Sequence, residues 1–224
     1  MSAARRADLE VERRTQILDG ALRLWTRHGF DATSVEAVAR EAGIAKGTIY
    51  LYFATKEALF AAAAERWSLL PDLRSLGAAL RGQPLAAALP RIAEQLWGRL
   101  RSASPLVGLL FRELAVRPDE ARRFLEAVVL PANRAFAEFL DERVQAGELR
   151  PLDTFVAARA FVGMLVMFVW TQHALGGDRL RPIDDRAITE TVSELFLRGA
   201  LAPPEAPPAL RHQNPLPRAR RRRS

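Results

Sequence analysis

The sequence predicts an all-α protein: an N-terminal three-helix head carrying a helix-turn-helix, and a larger C-terminal helical body. Three observations support this. The stretch Thr33 to Phe60, TSVEAVAREAGIAKGTIYLYFATKEALF, reads as helix, tight turn, helix, extended exit, helix. Apolar residues recur three and four apart through most of the remaining chain, the period of an amphipathic helix. Pro, Gly, Thr and Asp stand at the ends of those runs, where helices start and stop.

Residues 1 to about 10 are polar and read as frayed. Arg5, Arg6, Arg13 and Arg14 serve there either as an arm on phosphate or as a solvated terminus. From Glu12 to His28, the stripe Ile17, Leu18, Ala21, Leu24 and Trp25 is expected to pack under the motif helices, with Trp25 in the core. Thr33, with Glu36 three residues on, has the spacing of a capping box, so the first motif helix starts near Ser34. Its face Val35, Val38, Ala39 and Ala42 turns inward, and Gly43 supplies the left-handed residue that ends it. A second helix follows from about Ala45 to Leu51. Ala39 lets the helices cross closely, Ile49 plugs the corner, and Lys46, Gly47, Thr48 and Tyr50 remain as a donor-rich face suited to a major groove.

The run Gly29 to Leu59, GFDATSVEAVAREAGIAKGTIYLYFATKEAL, resembles the DNA-binding signature of the TetR family of one-component transcriptional regulators. Gly29-Phe30, Thr33, Ala39, Ala42-Gly43, Lys46-Gly47-Thr48, Tyr50, Phe53 and Lys56-Glu57 hold register without a gap. Two positions depart: Ala45 stands where the family often has Ser or Thr, and Tyr52 where it often has His. The resemblance covers about the first sixty residues; beyond them only the helical layout is similar. The candidate DNA-contacting set is Thr33, Ser34, Ala45, Lys46, Gly47, Thr48, Tyr50, Tyr52 and Lys56. Lys46 reaches phosphate or a guanine edge, Thr48 a base or methyl, Tyr50, Tyr52 and Lys56 phosphates, and Thr33 or Ser34 anchors the first motif helix.

After Thr55, a helix with Leu59, Phe60, Ala63 and Trp67 leaves the head and ends near Pro71, and the stretch to Pro84 is expected to be a loop. Helices follow over Leu85 to Leu100, Pro105 to about Val116, and Pro118 to Gln145, the last bent near Pro131 and closed by Gly147. Asp153 to Leu175 is apolar nearly all round, and Asp184 or Asp185 to Leu201 carries Ile188, Val192, Leu195 and Phe196 on one face. The domains are therefore set at 1–54, 55–201 and a Pro- and Arg-rich tail, 202–224, expected to be disordered. That tail is either solvated or a non-specific DNA tether.

The resemblance implies that the last two helices form a four-helix bundle with a second copy, through Phe161, Leu165, Phe168, Ile188, Val192, Leu195 and Phe196. It also implies a small-molecule pocket in the body. The aromatic and soft residues that would line it are Trp67, Trp97, Phe111, Phe136, Met164, Met167, Phe168, Trp170 and His173, with Gln172 and Arg112 as polar anchors.

Composition narrows the alternatives. The formal net charge is +7, but the segment from Pro203 holds six arginines against one glutamate, so the body is nearly neutral and DNA binding rests on the motif. With no cysteine and three scattered histidines, neither a metal site nor a cofactor is expected. No nucleophile elbow or phosphate loop suggests an enzyme. No leader is read at the N-terminus, and the run Phe155 to Trp170 falls short of a bilayer span, so no membrane partner is expected and the cytoplasm is the expected location. The expected protein is a dimeric regulator, repressor rather than activator, that binds an operator in double-stranded DNA and responds to a lipophilic effector. A DNA-architectural or activator protein without ligand control is the alternative.

Overall fold

A computed structural model of the protein describes residues 3–66 and 68–201; Trp67 and the 202–224 tail lie outside the described residues. The described chain is all-α, with one isolated β-bridge between Leu149 and Leu201. The head comprises α1 (Ala3–His28), α2 (Val35–Glu41), α3 (Lys46–Tyr50) and α4 (Lys56–Arg66). The body comprises α5 (Leu70–Ala79), α6 (Leu85–Ser102), α7 (Ser104–Leu114), α8 (Pro118–Phe124), α9 (Leu130–Gln145), α10 (Thr154–Phe168) and α11 (Asp185–Ala200). A π-turn, Leu125–Val129, joins α8 to α9, and a second, Val169–Ala174, extends α10.

Two buried clusters divide this chain. Ile17, Trp25, Phe30, Ile49, Phe53, Leu59 and Phe60 form the head core, and α7 adds Leu106 and Leu109 to it. The Trp25, Phe30 and Phe60 rings lie 5.1 to 5.6 Å apart, in tilted and edge-to-face pairs that aromatic quadrupoles favour. The second cluster draws Leu89, Ile92 and Leu96 from α6, Phe136 and Leu140 from α9, Phe161 and Leu165 from α10, and Ile188 and Val192 from α11.

Several expectations are corrected. Helix α1 begins at Ala3, well before Glu12. The stretch read as a loop contains α5: Pro71 sits in its first turn, where a missing N–H costs nothing, and Gly77 lies within the helix, facing the Phe139 ring of α9. The bend expected near Pro131 is the π-turn before it, where the Leu130 N–H donates to the Leu125 carbonyl, five residues back. Together α10 and its π-turn make 21 helical residues containing an 18-residue window of mean hydropathy 1.7, long and apolar enough by composition to cross a membrane. Here that helix packs on α6, α9 and α11.

Arg143 of α9 fastens two helix ends. It is 5% exposed and donates to the carbonyls of Gln83 (2.8 Å) and Leu80 (3.1 Å), the latter at the end of α5. It also pairs with Glu148 at 3.0 Å, whose other oxygen accepts from the Leu85 N–H at 2.6 Å. Glu148 thus serves the start of α6, where Pro84 offers no side-chain cap. Arg143→Ala should lower unfolding stability by about 3–5 kcal/mol, because it strands Glu148 and two carbonyls. Urea titration of the dimeric or monomeric species at fixed concentration reads this; a loss below about 1 kcal/mol would mean that water replaces the guanidinium at no cost.

Candidate nucleic-acid interface and apolar cavity

The turn between α2 and α3 is built from small residues. Gly43 adopts φ +64°, and the Ile44 N–H returns to the Ala39 carbonyl at 2.9 Å. Gly20 of α1 meets the end of α2 so closely that a Cβ would lie 3.2 Å from that of Ala42, and Gln16 donates to the Ala42 carbonyl at 2.6 Å. The cap of α2 is Ser34, whose hydroxyl accepts from the Ala37 N–H at 3.1 Å. Thr33, expected in that role, is buried instead, its hydroxyl donating to the Gly29 carbonyl at 2.8 Å. Of the two, only Ser34 presents its side chain to solvent.

Ile49, 1% exposed, anchors α3 to the head core. Ala45, Lys46, Gly47 and Tyr50 are exposed, while Thr48 and Tyr52 are half-buried. Ala45 gives α3 no side-chain cap, and a Cβ on Gly47 would meet nothing within 4 Å, so the backbone there is open to close approach. Glu36, expected to complete a capping box, forms an ion pair with Lys46, which draws its carboxyl down to about 2 and raises the lysine. A depressed carboxyl contributes fully above its ordinary range and loses that contribution progressively as pH falls from there to about 2. The pair is therefore intact at neutral pH, and Lys46 must exchange Glu36 for any phosphate it meets. Lys56 lies 4.3 Å over the Phe30 ring and donates to the Asp31 carbonyl at 3.3 Å; burial lowers its pKa.

That same corner is tied to the body. Glu113 of α7 is 7% exposed; one of its oxygens accepts from the Phe30 N–H (3.3 Å) and Arg112 (3.1 Å), and the other faces Arg117 at 3.5 Å. Arg117 continues to Asp31 at 2.5 Å, and Arg112 donates to the Trp25 carbonyl at 3.1 Å.

On its other faces α7 walls an apolar cavity of about 580 Å³, with Leu110, Phe111 and Leu114 opposite Val128, Val129 and Val162. Ala64 of α4 also lines it. An outer cleft of about 760 Å³ lies between α1, α7 and the second π-turn, bounded by Thr26, Arg112, Trp170 and His173. Phe111, stacked on Trp170 at 4.8 Å, borders both spaces.

The predicted lining therefore divides. Phe111 lines the cavity, and Phe111, Trp170, His173 and Arg112 line the cleft. Trp97 and Phe136 belong to the body core, Met164 and Phe168 pack against it, and Met167 is exposed, so none of these five borders either space. Gln172 borders neither as well. The sequence reading missed Asn133 and Arg159, the two polar residues of the cavity wall. A hydrophilic residue interrupting the inner face of α9 was the available signal for Asn133.

The predicted dimer residues divide too. Phe161, Leu165, Ile188, Val192 and Phe196 are 0 to 9% exposed within one chain, so they are its core and not an interface. Phe168 is half-buried, and Leu195 is 60% exposed. The apolar surface left uncovered on α10 is the stripe Val156, Ala160, Gly163 and Met167, spaced four, three and four residues apart.

Residues 17–63 match the family described as "Bacterial regulatory proteins, tetR family", and residues 88–199 match "AefR-like transcriptional repressor, C-terminal domain". The HTH-type transcriptional regulator YfiR of Bacillus subtilis is 29% identical over 157 residues, 68% of this chain and 76% of that protein. The fatty acid degradation regulator FadR from Bacillus halodurans superposes with a TM-score of 0.68 at 26% identity, over 84% of this chain and 95% of that one. FadR from Bacillus subtilis, solved in complex with stearoyl-CoA, superposes with a TM-score of 0.69 at 23% identity, over 83% and 98%. With the helix-turn-helix in place and both halves matched, the chain belongs to the TetR family of DNA-binding transcriptional regulators.

Proposed function

We propose that the protein is a homodimeric repressor that holds a two-fold symmetric DNA operator through paired α3 helices and releases it when a lipophilic small molecule fills the cavity. The observation that carries this reading is the joint on α7: one helix walls the cavity and grips the backbone just ahead of α2 through Glu113. A ligand that displaces Leu110 or Leu114 therefore works directly on the orientation of the head. To act as an inducer it must bind the DNA-incompetent arrangement more tightly than the competent one. The apolar wall suits an aliphatic chain, and the fold likeness to a regulator solved with stearoyl-CoA supports an acyl compound. Such a regulator works in the cytoplasm, beside the chromosome.

The uncovered stripe on α10, with Leu195 of α11, is the surface proposed to meet a second copy. Two heads are needed because operator half-sites lie about one helical turn apart. Met167→Asp and Leu195→Asp should each yield a folded monomer with sharply weakened operator binding, whereas Phe161→Asp should misfold because that ring is core. Sedimentation with circular dichroism separates the two results. A wild-type monomer at micromolar concentration would refute the dimer, and lipid-dependent solubility would favour a membrane role for α10.

Recognition is tested on an operator enriched from a random duplex pool, by anisotropy at fixed salt. Lys46→Ala and Tyr50→Phe should each weaken binding by about 1–3 kcal/mol with helicity unchanged. Glu36→Gln should tighten it, since Lys46 no longer has a carboxylate to leave. Near-native affinity in all three variants would remove α3 from the interface.

The joint itself makes a further prediction. Ligand coupling of about 1–3 kcal/mol corresponds to operator release of about 5- to 150-fold. Glu113→Gln should at least halve the logarithm of that release while leaving ligand affinity in the absence of DNA unchanged. Full release from the variant would show that coupling runs elsewhere, for example through α4, and no release from the wild type would favour an architectural protein.

A further inference from the structure

Twenty-one residues line the apolar cavity, and nineteen of them are apolar or glycine. The exceptions are Asn133 on α9 and Arg159 on α10. Asn133 is 3% exposed, and its amide nitrogen is buried without a hydrogen-bond partner. Arg159 is exposed and has no ion-pair or hydrogen-bond partner among the described residues.

A buried amide with nothing to bond is costly, and native interiors hold few. An aliphatic side chain of similar size would pack against Val128, Val129, Val162 and Val166 without that cost. The position makes sense when a ligand supplies the missing partner, and the primary amide donor selects an oxygen acceptor such as a carbonyl. The guanidinium at the same wall selects an anion, which it binds through two parallel N–H groups when the anion is a carboxylate or phosphate. Arg159 is exposed within one chain and lies on the α10 face proposed to meet a second copy, so in that dimer the charged end of the ligand sits beside the seam.

We propose that Asn133 and Arg159 make this cavity selective for anionic amphiphiles: an aliphatic chain among the valines and leucines, a carbonyl oxygen on Asn133, and a carboxylate or other anion at Arg159. From the effector reading above, this takes only that the cavity holds a small molecule. The two residues specify which one.

The test uses the full chain and three probes of like length: dodecanoate, methyl dodecanoate, and 1-bromododecane, which has neither carbonyl nor charge. Tryptophan fluorescence or calorimetry gives each dissociation constant. Wild type should prefer the acid over the ester and the ester over the bromide, each by about tenfold or more. Asn133→Leu should level the ester with the bromide and raise the melting temperature of the ligand-free protein, because a stranded amide is gone. Arg159→Gln should abolish only the acid's advantage over the ester. If Asn133→Leu does not fold, the wild-type ranking still decides. No binding of these probes, no ranking in wild type, or an unchanged ranking in a folded Asn133→Leu would overturn the proposal. If the ranking holds while no probe alters operator affinity, the selectivity stands and the repressor reading falls. If the probes release operator equally from wild type and Asn133→Leu, the selectivity falls and the repressor reading stands.

Discussion

The buried carboxylate of Glu113 is the constraint that makes one machine of two helical clusters. A charge with this little solvent must be surrounded by donors, and leaving it unpaired is far more costly than losing an exposed ion pair. Its donors come from both sides: the Phe30 N–H from the head, Arg112 and Arg117 from the body. Arg112 and Arg117 then reach onward to the Trp25 carbonyl and to Asp31. Helix α7 consequently cannot slide or rotate while the Gly29–Asp31 corner stays still. The side chains on its opposite faces are free to be cavity wall because this end supplies the attachment.

The DNA-facing side shows the complementary economy. A helix of five residues without a capping side chain has no independent stability, since nucleation is unfavourable and there is little length over which to recover it. Its order is borrowed from Ile49 in the head core and from the close fit of Gly20 against Ala42 that fixes the turn ahead of it. The exposed face is thus preorganised, and DNA need not supply the ordering entropy. The free protein holds its own anion at this face, the Glu36 carboxylate on Lys46, and in the proposed complex DNA exchanges for it, which raises the threshold for weakly attractive sequences.

The head was legible in the sequence because it is local. Ala39, Gly43 and Ile49 mark a tight crossing within eleven residues, and their spacing implies the exposed Lys46 to Tyr50 face. Even so, the cap falls on Ser34, one residue later than expected: both types cap helices, and only the fold decides that the Thr33 hydroxyl turns back to Gly29. The body was less legible. Periodicity identifies an apolar face but does not name the neighbour that covers it, so Phe161 and Ile188 were read as waiting for a second chain while α6, α9 and α11 already bury them. Pro71 and Gly77 read as loop residues, yet one starts a helix and the other lies inside it. Asn133, Arg159 and Glu113 acquire meaning only through partners, or a missing partner, far away in the chain.

The π-turn at Leu125–Val129 lies in the cavity wall, where Leu125, Val128 and Val129 precede Ala132 and Asn133. Such a turn amounts to one residue more than the α-helical repeat requires. Losing that residue would set Leu125 and Asn133 seven apart in a straight helix, about 20° from alignment, so both would still face one wall. Straightening the turn without losing a residue would leave them eight apart, about 80° out of line, and would split that wall. The wide turn is therefore what lets this length of chain keep one cavity face: it can take up or shed a single codon while the side chains on either side of it hold their aim.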